Sequence, residues 1–250
     1  MPRYTPAPDL LAARHILVTG AGDGIGRAAA LAFAAHGANV ILLGRTAAKL
    51  EKVYDEIEKR GGPQAAILPL DLAQATPAHY EQLAQTFEKE FGRLDGLLHN
   101  AADAGTLTPL EHYEPDMWYR VMQVNLHAAW LLTRACLPLL RQSDNASIVF
   151  TGADAGRRGR AYHGAYGVSG FAPEGLMQTL ADECAAEGRV RANSLDPGAV
   201  RTGMRARAYP GEKPETLPAP EDIMPAYLYL FGPDSSGVNG QALSAAEFLK

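Results

Sequence analysis

The sequence predicts a single-domain α/β fold, a doubly wound sheet of seven parallel strands with helices on both faces. Two observations carry this. Apolar strand-like runs alternate with helical segments along the whole chain, the order that produces a parallel sheet. The first strand-like run is apolar throughout rather than alternating, which suggests a buried parallel strand. The chain has 250 residues and is 47% apolar, enough for one substantial core. No internal repeat, low-complexity tract or interdomain linker interrupts it.

"HILVTG" (15–20) is the first strand. "GIGRAAALAFAAHG" (24–37) is Ala-rich, apolar at helical spacing and closed by Gly37, which predicts a helix. "NVILLG" (39–44) is the second strand, residues 46–60 an amphipathic helix, and "AAILPL" (65–70) the third strand. Residues 76–92 form a helix with Thr76 as N-cap, Pro77 at the first helical position and Gly92 at the end. "LDGLLHN" (94–100) is the fourth strand, and a long helix spans roughly 113–140. "ASIVFTG" (146–152) is the fifth strand, and the next helix begins at Tyr166. "RVRANSL" (189–195) is the sixth strand. Residues 203–220 are rich in Pro, Arg and Gly without periodicity and read as a loop or substrate lid. A helix at 221–231 and a short strand at 240–244 complete the chain.

Composition narrows the function classes. A net charge of −5 does not fit a global nucleic-acid footprint, which needs a basic excess. The two cysteines, Cys136 and Cys184, lie in apolar helical contexts and read as buried thiols rather than a disulfide or a metal site. No run of about 18 apolar residues and no signal-peptide core is present, so the expectation is a cytoplasmic protein with no membrane partner.

"TGAGDGIG" (19–26) joins the first strand to the first helix. Glycines there allow a sharp turn and a close approach to a pyrophosphate. The helix N-terminus then offers free N–H groups and the positive end of its dipole. Gly20, Gly24 and Gly26 are not spaced as G-x-G-x-x-G. In this strand–loop–helix context they predict a Rossmann-type dinucleotide site, with Asp23 and Ile25 in the same loop.

This spacing resembles the short-chain dehydrogenase/reductase family, whose loop is T-G-x-x-x-G-x-G. The resemblance extends to "LDL" with Asp71 and Leu72, "HNAAD" with Asn100 and Ala101, "MQVNL" with Asn125, and "LDPGAVRT" with Pro197, Gly198 and Thr202. These motifs occur in the family's order over residues 15–202. The resemblance implies that Asp71 contacts the adenine and that Pro197, Gly198 and Thr202 lie near the nicotinamide. Taken singly, Asp71 also suits a helix cap, and Asn125 a buried polar residue that stabilises a helix. Gly44 and Arg45 end the second strand, where an acidic residue would select NAD. A guanidinium suits a 2′-phosphate, so NADP(H) is favoured over NAD(H). Asp23 opposes this preference if its carboxylate points inwards.

The resemblance also implies a four-residue catalytic machine. A tyrosine moves the proton, and a lysine four residues later lowers the tyrosine pKa. A serine thirteen residues before the tyrosine binds the substrate oxygen, and an asparagine orders a water. Tyr166 and Asn125 match two of these positions. The serine position is Ala153 and the lysine position is Gly170. A phenol of pKa near 10 needs a shift of roughly 3 units to work at pH 7, and glycine supplies no charge for it. Thr151 and Asp154 flank Ala153, and Arg157, Arg158, Arg160 and His163 precede Tyr166. The loop arginines read as solvated, and Ser169 as a packing serine. Gly167, Gly170, Pro173 and Gly175 predict a kink or a late start for the Tyr166 helix.

Two functions follow. One is an oxidoreductase with NADP(H)-linked carbonyl/alcohol chemistry on an unknown small molecule, weakened by Ala153 and Gly170. The other is a non-catalytic NADP(H)-binding sensor, regulatory or assembly subunit. The family's pairing through its long helix and Tyr-bearing helix implies a homodimer or homotetramer.

Overall fold

The computed structural model describes residues 4–248. Seven parallel strands form one sheet in the order β3-β2-β1-β4-β5-β6-β7. They are β1 (His15–Thr19), β2 (Asn39–Gly44), β3 (Ala66–Pro69), β4 (Gly96–His99), β5 (Ala146–Thr151), β6 (Val190–Asp196) and β7 (Ala242–Ser244). The helices are α1 (Gly24–Ala35), α2 (Ala47–Lys59), α3 (Pro77–Phe91), α4 (Pro115–Met122), α5 (Ala128–Leu140), α6 (Gly164–Ala185), α7 (Gly203–Ala208) and α8 (Met224–Phe231).

Side chains alternate across each strand, so each strand feeds two cores. Ile16, Val18, Val40, Leu42 and Val149 enter a cluster with α1, α2 and α8. Leu17, Ile41, Leu43, Ile148 and Phe150 enter a cluster with α3, α5 and α6 on the other face. This two-sided burial accounts for the continuously apolar strand sequences. Cys136 and Cys184 are buried free thiols, and burial pushes the Cys136 thiol up to about 12. No helix among the described residues is long and apolar enough to cross a membrane.

Strand order changes direction at β1. β2 and β3 lie on one side of it, and β4 to β7 on the other. All seven strands are parallel, so the loops that follow them collect at one edge of the sheet. The crevice between β1 and β4 at that edge is where such folds bind ligands. Thr19 closes its floor. Its Oγ1 donates to the Leu98 carbonyl at 3.1 Å and accepts from the N–H groups of Asn100 and Ala101 at 2.9 and 3.0 Å.

Three expectations need correction. The long helix is not regular: Gln123–His127 forms a π-turn between α4 and α5. Residues 203–220 are not featureless, because Thr202 caps α7, its Oγ1 accepting from Arg205 N–H at 3.1 Å. A 3₁₀ turn at Pro214–Thr216 follows.

The third correction concerns α6. It starts two residues before Tyr166 and runs unbroken through Gly167, Gly170, Pro173 and Gly175 for 22 residues. Propensity loses here to packing, since α6 lies against β6 and the 3₁₀ turn Asp154–Gly156. Gly170 is required by that contact: an added Cβ would lie 2.9 Å from Gly156 Cα. Gly175 has no such neighbour within 4 Å. Gly175→Ala is therefore expected to stabilise the fold by about 0.5–1 kcal/mol, checked by the midpoint of urea unfolding.

Candidate active site

The glycine loop meets the crevice at close quarters. Gly20 has φ +68°, and an added Cβ would lie 3.0 Å from Ala101 Cα and from Asn100 Nδ2. At Gly26 an added Cβ would lie 2.3 Å from the Gly20 carbonyl oxygen. Gly24 has φ +52° and faces the Thr202 methyl. Asn100 Nδ2 donates to the Thr19 carbonyl at 3.1 Å. Gly198 has φ +72°, and its N–H donates to Asp196 Oδ1 at 2.8 Å. The backbone therefore forms a cradle around the N-terminus of α1 that side chains would fill. Such a cradle fits a dinucleotide pyrophosphate.

Asp23 caps the α1 N-terminus at the rim of this cradle. Its carboxylate accepts from Gly24 N–H at 2.8 Å and from Lys49 Nζ at 2.6 Å. The Lys49 bond, ahead of the Gly24 bond, holds the Asp23 carboxyl below the usual carboxylate range against partial burial. Its charge is thus partly met by the Lys49 ammonium. Lys49 carries no motif, and its role emerges only when α2 packs beside the loop. Arg45 is exposed after β2. Asp71 is exposed and accepts from Ala73 N–H at 3.0 Å, so it does act as a local turn cap. Leu72 is buried, Ile25 packs on the α1 core cluster, and Pro197 is partly exposed.

A cavity of about 60 Å³ opens beside the crevice. Tyr166 and Gly170 from α6, Asn125 from the π-turn and Ala153 from the loop after β5 all line it, as do Thr19, Leu72 and Ala101. Thr151 lines it too, but its hydroxyl is 3.1 Å from the Tyr227 hydroxyl on α8.

Asn125 sits in the π-turn with its whole amide engaged. Oδ1 accepts from Asp103 N–H at 2.7 Å, and Nδ2 donates to the Asp103 carbonyl at 3.0 Å and to Ser169 Oγ at 2.9 Å. A π-turn inserts one extra residue, and such insertions concentrate at functional sites. Here Asn125 clamps the loop after β4 to α6. Ser169 is thus more than a packing residue, and it also donates to the Tyr166 carbonyl at 3.1 Å.

Tyr166 is held in its neutral form. Burial raises its pKa first, and Asp196 and Tyr209 add to this. Arg205 opposes the shift but does not reverse it. That guanidinium is committed elsewhere: it donates to both Glu212 carboxylate oxygens, at 2.7 and 2.9 Å, and stacks on the Tyr209 ring. His163 Nε2 is 3.0 Å from the Tyr209 hydroxyl.

Arg158 is exposed, whereas Arg160 and Arg157 are engaged. Arg160 pairs with Asp154 at the surface. Arg157 is not a solvated loop arginine: its Nε is 3.2 Å from Glu174 Oε1, and its terminal nitrogen donates to Ser194 Oγ and the Leu243 carbonyl. Ser194 Oγ donates to Glu174 Oε2 at 2.7 Å. Glu174 is a cavity residue that no motif indicated, because its partners come from β6 and a distant loop. His99 also lines the cavity. It lies 2.8 Å from Thr133 Oγ1, stacks on Phe150, and is pushed down to about 3 by burial, so it carries no charge at neutral pH.

Comparison with known proteins decides the family. The short chain dehydrogenase family model matches residues 14–213. The chain belongs to the short-chain dehydrogenase family. It is 50% identical over 242 residues to the uncharacterized oxidoreductase YciK of Escherichia coli K12, covering 97% of this chain and 95% of YciK. A putative short chain dehydrogenase from Pseudomonas syringae is 61% identical and superposes with a TM-score of 0.95, covering 97% of this chain and 98% of that one. A Shigella flexneri short chain dehydrogenase, solved in complex with NADP, is 49% identical with a TM-score of 0.94, over 96% of this chain and 100% of that one. The short-chain dehydrogenase assignment extends across the cradle, the cavity and Tyr166, all of which fall within the matched residues.

Proposed function

We propose that this short-chain dehydrogenase binds NADP(H) with an intact cradle and performs carbonyl/alcohol redox chemistry slowly, because no cation serves its tyrosine. The observation that carries this reading is the lining of the Tyr166 cavity. It includes the serine and lysine positions as Ala153 and Gly170, and it contains no lysine or arginine.

When bound, the dinucleotide supplies or accepts the hydride. The protein's own groups must hold the substrate oxygen and move its proton. Tyr166 is the group for the proton. As a neutral phenol whose pKa is raised, it is a poor base for alcohol oxidation and a weak acid for carbonyl reduction. Ala153 offers no hydroxyl to the substrate oxygen, and losing one such donor costs about 10²–10³ in rate. Asn125 holds the loop that borders the cavity. Among cofactors, NADP(H) is supported by Arg45 after β2, by the pairing of the Asp23 carboxylate with Lys49, and by the NADP complex of the Shigella relative.

The second reading is a non-catalytic NADP(H) sensor or regulatory subunit of the cytoplasm. It is favoured by the same raised Tyr166 pKa. Both readings include pairing of two copies through α4–α5 and α6. Those helices expose Tyr119, Trp130, Val168 and Phe171 at 45% or more. The experiment that separates the readings measures NADPH binding by fluorescence and then NADPH oxidation over a carbonyl panel. Saturable binding with slow but Tyr166-dependent oxidation is expected. Oxidation at background for every carbonyl would favour the sensor, and no NADPH binding would reject both.

A further inference from the structure

The cavity beside Gly170 has an electrostatic character of its own. Its lining brings one carboxylate, Glu174, whose side chain is 12% exposed. The hydroxyl residues Thr151, Ser169 and Ser194 and the phenol of Tyr166 also border it. No arginine or lysine lines it, and His99 there is uncharged. Asp196 adds negative field at Tyr166. The nearby guanidiniums of Arg157 and Arg205 are directed at Glu174 and Glu212. The space thus combines hydroxyl and carboxylate oxygens with a volume of about 60 Å³, enough for more than one water-sized group.

A side chain cannot reach this space from position 170 without cost. The first carbon would lie 2.9 Å from Gly156 Cα and 3.4 Å from Gly156 N, so the turn at Asp154–Gly156 must move.

We propose that the cavity is a binding site for a small primary alkylammonium ion, which acts as a detachable cation beside Tyr166. Ammonium donates to the hydroxyl and carboxylate oxygens that border the cavity. No bond forms or breaks; the ion stabilises the phenolate by proximity, as an opposite charge within about 4–6 Å does. Its effect on turnover rests on the reading that the missing cation limits proton transfer, whereas its binding does not.

The test uses methylammonium chloride at pH 9, where the ion remains charged. Sodium chloride at matched ionic strength and tetramethylammonium chloride, which has no N–H to donate, serve as controls. The readout is the phenolate fraction of Tyr166 by ¹³C-tyrosine NMR, assigned with Tyr166→Phe. The expected result is a saturable rise of about tenfold with half-saturation on the order of 10 mM, absent with either control salt. It persists with NADPH bound and weakens several-fold in Glu174→Gln. No response, an equal response to tetramethylammonium, or displacement by NADPH would overturn the site. The salt comparison stands even if Glu174→Gln fails to fold. A phenol that responds while NADPH oxidation stays flat would leave the site in place and remove the claim that the missing cation limits turnover.

Discussion

Gly26→Ala is expected to weaken NADPH binding by about 100-fold, measured by fluorescence titration. The reason is steric and local. The added Cβ would lie 2.3 Å from the Gly20 carbonyl oxygen and 2.6 Å from Asn100 Nδ2. Neither atom can retreat freely. Gly20 is at the end of β1, and Asn100 is tied to Thr19 by its backbone and its amide. α1 must therefore move away from the sheet, opening the cradle that its N-terminus completes. The same displacement costs about 1–3 kcal/mol of stability. Gly175→Ala is the matched control, because it adds a methyl where nothing lies within 4 Å. An unchanged NADPH affinity in Gly26→Ala would show that the cradle is not the pyrophosphate site.

The second large effect is a gain. Ala153→Ser combined with Gly170→Lys is expected to raise NADPH-dependent carbonyl reduction by about 100-fold or more in single-turnover measurements. Ala153→Ser alone should yield only a small part of this, because residues that act on one transition state do not contribute independently. The gain should come with a loss of about 1–3 kcal/mol in stability, since a side chain at 170 must push the Asp154–Gly156 turn outwards. A rate unchanged by the pair, in a folded variant that binds NADPH, would mean that hydride transfer here never depended on those two positions.

Much of this was legible in the sequence, for identifiable reasons. Parallel strands buried on both faces read as apolar runs, as β1, β2, β4 and β5 do, and the strand–helix alternation marked the other three, all with ends displaced by no more than two residues. The glycine loop was legible because only glycine tolerates the approach of Gly26 to Gly20. Tyr166, Asn125, Ala153 and Gly170 were placed together by motif order alone. What stayed hidden depends on contacts between distant segments. Lys49 neutralises Asp23 across the α1–α2 corner. Glu174 faces the cavity because Arg157 and Ser194 hold it there. The regular course of α6 through Pro173 also could not be read locally, because propensity counts the cost of glycine and proline but not the close packing that Gly170 allows against Gly156. The π-turn at Asn125 leaves no mark in apolar spacing over five residues.

The Tyr166 cavity holds no lysine or arginine, and Tyr166 is expected to remain a neutral phenol through the physiological range. Its folded pKa is raised above the ordinary value of 10.0 by burial and by Asp196. The neutral form is the one that the fold favours, so its contribution to stability is complete below pH 10. It is lost as pH rises from there through the higher folded pKa. The measurement is a pH titration of ¹³C-tyrosine-labelled protein, with Tyr166 assigned by its absence in Tyr166→Phe. Tyr166 is expected to ionise above pH 10; ionisation below about pH 8 would show that a cation serves it after all.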